Sequence, residues 1–155
     1  MAKKKLSAED RRFLDDIAAL LVPWGMSSVT ARIYGYLLLS ASAATLDQIA
    51  EELEVSKSSV SVSARALERS SLVRRSGERG SKRIYYEASD TYGNAFRERI
   101  TMLESMATLL QGRAQKAPSA AIKGRLQRVS TFYLLMRDAV GAAIERVIED
   151  AGQRR

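Results

Sequence analysis

The chain has 155 residues and is 46% hydrophobic, which suits one domain with a real core plus an appendage. Its net charge of +7 favours polyanions or anionic surfaces as partners. The absence of cysteine and histidine excludes disulfides, zinc–thiolate sites and imidazole catalysis.

The opening MAKKKLSAEDRR is basic but leads into further charges, so it does not read as a signal peptide. Ser7, followed by acids, predicts a helix start, and Phe13, Leu14, Ile17, Leu20 and Leu21 give that helix an apolar stripe ended by Pro23. The run from Ile17 to Val22 is far too short to span a membrane. A reducing cytoplasm is the simplest compartment for such a chain, with no membrane partner. A second helix is expected from about Val29 to Ser40, with Ile33, Tyr36 and Leu37 facing inward. SASAAT then reads as a small-residue linker.

In TLDQIAEEL, Thr45 and Gln48 fit a capping box, and Leu46, Ile49, Ala50 and Leu53 lie on one helical face. Only Glu54 and Val55 separate this short helix from a serine-rich one whose expected N-cap is Ser56. Two helices joined so tightly must cross steeply, which is the helix-turn-helix pattern. After them, LVRRS and KRIYYE are short and β-prone, and GERGS between them supplies turn glycines. A helix-turn-helix followed by such a basic hairpin is a winged helix.

The remainder reads as long helices broken at Pro118. One seam runs through Phe96, Ile100, Leu103, Ala107, Leu110 and Ala114. The other runs through Ile122, Leu126, Val129, Tyr133, Met136, Val140, Ala143 and Val147. The second helix also has apolar residues on neighbouring faces, more than one partner helix covers. The fold expected is therefore mainly α: a winged helix-turn-helix with a small β-hairpin wing and long N- and C-terminal dimerisation helices. Residues 1–26 would contribute a dimerisation helix, 27–90 the DNA-binding domain, and 91–155 a C-terminal dimerisation region of a homodimer.

On the serine-rich helix, Val60, Ala64 and Leu67 point to the core, and Ser58, Ser61, Val62 and Arg65 form the opposite stripe, with Lys57 at its leading edge. Small side chains let a helix enter the major groove. Hydroxyls bond phosphate or base edges, Arg65 can reach a guanine bidentately, and Val62 can touch a thymine methyl. The helix N-terminus behind Ser56 offers free N–H groups to phosphate. A serine-rich face on its own is more often simply solvated; its place on the second helix of the motif favours DNA. Charge agrees. Residues 56–83 hold eight basic and two acidic side chains, most of the chain's +7, whereas the preceding helix is acidic. Arg75, Arg79, Lys82 and Arg83 lie on the wing segment, and Arg79 at its tip could enter a narrow minor groove.

ARIYGYLLLS (31–40), LDQIAEELEVSKSSVSVSARALERSSLVRR (46–75) and GERGSKRIYYE (77–87) resemble the MarR superfamily of bacterial winged-helix regulators, and within it the GbsR-like branch. The resemblance covers roughly the first two-thirds of the chain. It implies a dimeric, often repressing transcription factor of double-stranded DNA, with Lys57, Ser58, Ser59, Ser61 and Arg65 in the major groove and Arg79 and Lys82 in wing contacts. Glu54, Ser58 and Ser71 stand where glycine is frequent in the family. A left-handed residue other than glycine at Glu54 would cost about 1 kcal/mol. Some GbsR-like proteins resemble sensors of choline-type ligands, so an aromatic cage for a small-molecule inducer is sought among Trp24, Tyr34, Tyr36, Tyr92, Phe132 and Tyr133; core packing is the commoner use of such residues. No cofactor is implied.

Two rival classes arise. An enzyme is disfavoured: GERGSK lacks the spacing and strand–loop–helix context of a phosphate-binding loop, and Asp15/Asp16 and Glu149/Asp150 point to different helix faces. A DNA-coating protein without sequence preference, or a winged helix that binds protein, uses the same fold.

Overall fold

The computed structural model describes residues 5–90 and 93–153. It divides into two compact units, Met1–Asp90 and Thr91–Arg155.

The first unit begins with α1 (Ala8–Leu21), whose N-cap Ser7 and third residue Asp10 complete a capping box. The helix ends before Pro23 itself, which sits in a single 3₁₀ turn (Val22–Trp24) closed by Gly25. Helix α2 (Ser28–Leu39) is capped by Ser27 and buries Ala31, Ile33, Tyr36 and Leu37. It crosses α1 closely: a Cβ on Gly35 would stand 2.8 Å from Leu14 Cδ2. Glycine is what permits that approach. Asp15 of α1 faces Arg32 of α2 at 3.7 Å, so one of the paired aspartates serves packing between helices.

The expected linker contains a strand, β1 (Ala44–Thr45), which periodicity could not register at two residues. Thr45 also caps α3 (Leu46–Leu53), with the full Thr45–Gln48 capping box. Glu54 ends α3 in the left-handed region at φ 54°, and its N–H returns to the carbonyls of Ala50 and Glu51. The cost anticipated at this residue is therefore present. Glu54→Gly is expected to raise unfolding free energy by about 0.5–1 kcal/mol, the strain relieved exceeding the extra unfolded-state freedom of glycine. Urea titration measures it; a loss of stability would mean that the Glu54 side chain contributes more than its backbone costs.

Helix α4 (Lys57–Arg69) follows after three residues, the C-cap Glu54, Val55 and the N-cap Ser56. Strands β2 (Val73–Gly77) and β3 (Ile84–Ala88) form the wing, in register from Val73 opposite Ala88 to Gly77 opposite Ile84. The sheet order is β1-β3-β2, with Ala44 opposite Tyr86. The wing is thus anchored on one side by β1. Val73 and Tyr86 drop into a core shared with Leu14, Ile33, Leu37, Ile49, Val60 and Leu67.

The second unit is a helical pair, α5 (Gly93–Gln115) and α6 (Ala120–Gln153). On α5 the seam lies where the spacing places it from Ile100 onward, with Ala107 and Ala114 buried and Ile100, Leu103 and Leu110 half-buried, whereas Phe96 in the first turn is exposed. On α6 the seam is turned. Leu126, Tyr133 and Val140 face inward as expected, but the alternate positions are Ser130, Arg137 and Ile144 rather than Val129, Met136 and Ala143, which are exposed along with Ile122 and Val147. Two polar residues explain the shift. The buried Ser130 hydroxyl donates to the Ala107 carbonyl at 3.1 Å, and Arg137 faces Glu104 at 3.5 Å. Partnered polar groups can occupy a seam. The apolar side chains they replace, with Phe132 and Leu135, are left exposed on α6.

Candidate nucleic-acid interface

Helix α4 sits on the core through Val60, Ala64 and Leu67, each at most 1% exposed. That fixes its opposite face outward. The serines of its segment divide into three uses. Ser56 caps the helix, accepting from the Ser59 N–H at 3.1 Å, and its hydroxyl is within 2.8 Å of the Ser59 hydroxyl. Ser63 turns inward: the Thr30 hydroxyl donates to it at 2.9 Å, and Thr30 is itself 2.7 Å from the Ser27 hydroxyl. This buried chain seats α4 on the start of α2 and was not legible from spacing, which gives only a serine on a partly apolar face. Ser58 and Ser59 are exposed and Ser61 half-buried.

The outward stripe is Ser58, Val62 and Arg65, with half-buried Ser61 beside it. Val62 is 68% exposed, an apolar side chain held in water by a helix whose other face is packed. The first turn of α4 has no acid, whereas α1 carries Glu9 and Asp10 there and α3 carries Asp47. The positive end of its dipole is thus left for an external anion.

Lys57 is not free. Its Nζ lies 2.8 Å from Asp47 Oδ1 in the first turn of α3. Asp47 was missed in the sequence as part of this surface, because nothing local separates it from Glu51, Glu52 and Glu54 of the same acidic stretch.

On the wing, Arg75, Arg79, Lys82 and Arg83 are all exposed. The six residues between β2 and β3 form the tip, where Ser81 N–H donates to the Glu78 carbonyl and Gly80 takes φ 81°. Gly77, expected as the other permissive glycine, is extended strand instead. Arg74 differs from its neighbours: Glu87 lies 3.0 Å away across the hairpin and Asp90 3.7 Å. It braces the wing. α4 and the wing therefore present Ser58, Ser59, Ser61, Val62, Arg65, Arg75, Arg79, Lys82 and Arg83 on one small unit, with Ser56 holding the helix start and Lys57 held by Asp47.

The aromatic residues are differently placed. Tyr36 is in the core, and burial, with the charge of Glu52, pushes its phenol above the ordinary value. Tyr34 is half-buried and Trp24 is 87% exposed in the 3₁₀ turn. Phe132 and Tyr133, in the second unit, meet edge-to-face at 5.7 Å. Tyr92 lies outside the described residues. Among the described residues no group of three or more acidic side chains could hold a metal ion, and no helix is long and apolar enough to cross a membrane.

Residues 21–91, from the end of α1 through the wing, match the family model of the sugar-specific transcriptional regulator TrmB. No curated protein sequence matches the chain. Among solved structures, one described as a transcriptional regulator is similar at 20% identity and a TM-score of 0.77, over 91% of this chain and 99% of that one. Staphylococcus aureus MepR in its DNA-binding conformation gives 15% identity and a TM-score of 0.43, over 83% of this chain and 91% of MepR. The zinc-responsive MarR family member ZitR of Lactococcus lactis gives 15% and 0.38, over 85% and 99%. The matched segment covers the winged helix-turn-helix, and the first of these structures shares the fold of the chain.

Proposed function

We propose that this protein is a sequence-specific regulator that binds double-stranded DNA as a homodimer and represses transcription. The observation that carries the reading is the outward stripe of α4: Ser58, Val62 and Arg65 project from a helix locked to the core on its other side. Such a stripe fits a major groove, where Arg65 reads a guanine and Val62 a thymine methyl. The wing arginines and Lys82 add backbone or minor-groove contacts beside it. Within the winged-helix regulators, the motif series from ARIYGYLLLS to GERGSKRIYYE supports the GbsR-like branch. The homodimer is supported by the apolar side chains that α6 leaves exposed, Val129, Phe132, Leu135, Met136 and Val147.

The test is fluorescence anisotropy with duplex DNA from upstream of the gene and with a scrambled duplex, each at two salt concentrations. A specific regulator prefers the native duplex by roughly 10³-fold or more. Equal, steeply salt-dependent affinity for both would instead identify a DNA-coating protein. No binding at low salt would favour a protein-interaction role. Light scattering that finds a monomer at micromolar concentration removes the dimer.

A further inference from the structure

A groove of about 720 Å³ runs between the start of α3 and the base of the wing. Lys57, Lys82 and Arg83 line it, with Ser42, Thr45 and Asp47. Three cations and the Ser42 hydroxyl around one concavity make a seat for a phosphate of the duplex backbone, the Thr45 hydroxyl being engaged by Gln48. One residue is wrong for that purpose. Asp47 places a carboxylate in the seat and holds Lys57, the cation at the start of α4, at 2.8 Å. Both side chains of the pair are largely exposed, so burial does not lock it. A phosphate that takes Lys57 must share its ammonium with Asp47 or displace it, and in either case it meets a second anion in the same site.

The geometry points to Asp47 as a built-in brake on DNA binding, acting through Lys57 and restraining the sequence-independent contribution of the backbone. This inference rests on the DNA-binding reading. Asp47 is a positioning residue: it touches Lys57 rather than a base. Restraint of this kind sets overall affinity: phosphate contacts strengthen every complex alike, so weakening one of them loosens right and wrong sites together and leaves base readout untouched. An acid in the first turn of a helix also favours its dipole. If that were its whole purpose, replacing it would change stability and leave DNA affinity alone.

Asp47→Asn keeps the shape and removes the charge. At low salt it is expected to tighten binding to the native and scrambled duplexes alike, by roughly two- to fivefold, the range to which the worth of an exposed ion pair converts. The salt dependence should steepen, by at most about 0.9 in the logarithmic slope, because Lys57 now neutralises a phosphate, whose condensed cation is released, without Asp47 taking a cation up. In a Lys57→Met background, Asp47→Asn should leave the slope unchanged and lose most of its gain. Wild-type binding together with an Asp47→Asn affinity that is unchanged or weaker overturns the inference. So does a gain undiminished in the Lys57→Met background, which would be long-range charge alone. A gain confined to the native duplex also overturns it, since Lys57 would then be reading a base. Absence of binding by the wild-type chain at low salt instead removes the DNA reading, and this inference with it.

Discussion

Replacing Leu67 with alanine is expected to lower the unfolding free energy of the first unit by about 2–5 kcal/mol. Leu67 is 1% exposed and belongs to the cluster in which α2, α3, α4 and the wing strands meet. Truncation removes apolar contact from all of them and leaves a cavity whose walls are helices and a sheet. These elements are held by one another and by the Thr30–Ser63 hydrogen bond, so the site collapses poorly. Leu67 also holds the C-terminal half of α4 down, two residues beyond Arg65 on the same helix. Denaturant unfolding followed by circular dichroism measures the effect. The helical pair α5–α6 contributes its own signal, so the expected result is a shift in the transition of the first unit with the second in place. A loss under 1 kcal/mol would mean that the core closes over the missing side chain.

Arg65→Ala should cost about 1–3 kcal/mol of affinity for the native DNA duplex, concentrated at one base pair. The reasoning is geometric. Arg65 lies one helical turn beyond Ser61 and Val62 on the outward face and is exposed. Alanine is the best helix former, so α4 should be left intact and the loss should reflect recognition rather than folding. The measurement is anisotropy against the native duplex and a set of single-base variants. The substitution should erase discrimination at one position and leave the others. A uniform weakening across all sequences, with the salt slope reduced by about one, would make Arg65 a phosphate contact and support the rival in which the protein coats DNA without reading it.

Much of the fold is legible along the chain because the signals are local. Ser7, Thr45 and Ser56 announce helix starts three residues before the backbone N–H groups they satisfy, and all three act as caps. The basic hairpin is visible because β-prone runs flank a glycine turn. β1 escapes the same reading: two residues carry no period, and it is a strand only because β3 lies beside it. The outward face of α4 follows from its inward one, since Val60, Ala64 and Leu67 fix the rotation of the whole helix.

Local signals along the chain settle the order of elements, their caps, the exposed stripe of α4 and the concentration of charge between residues 56 and 83. Tertiary structure decided matters that involve a distant partner. Ser63 turns inward because Thr30, thirty-three residues earlier, offers a hydroxyl. Lys57 is drawn to Asp47 because the tight turn brings the starts of α3 and α4 together. On α6, neighbouring apolar stripes differ by one residue, a rotation of about 100° that periodicity resolves poorly when both stripes are apolar. Ala107 and Glu104 of α5 select Ser130 and Arg137 for the seam, and the apolar stripe beside it faces outward. The physical reason is common to all three. Propensity and period act over a few residues, whereas a polar group inside a seam or a cation beside a groove is placed by a partner that only the folded chain brings within reach.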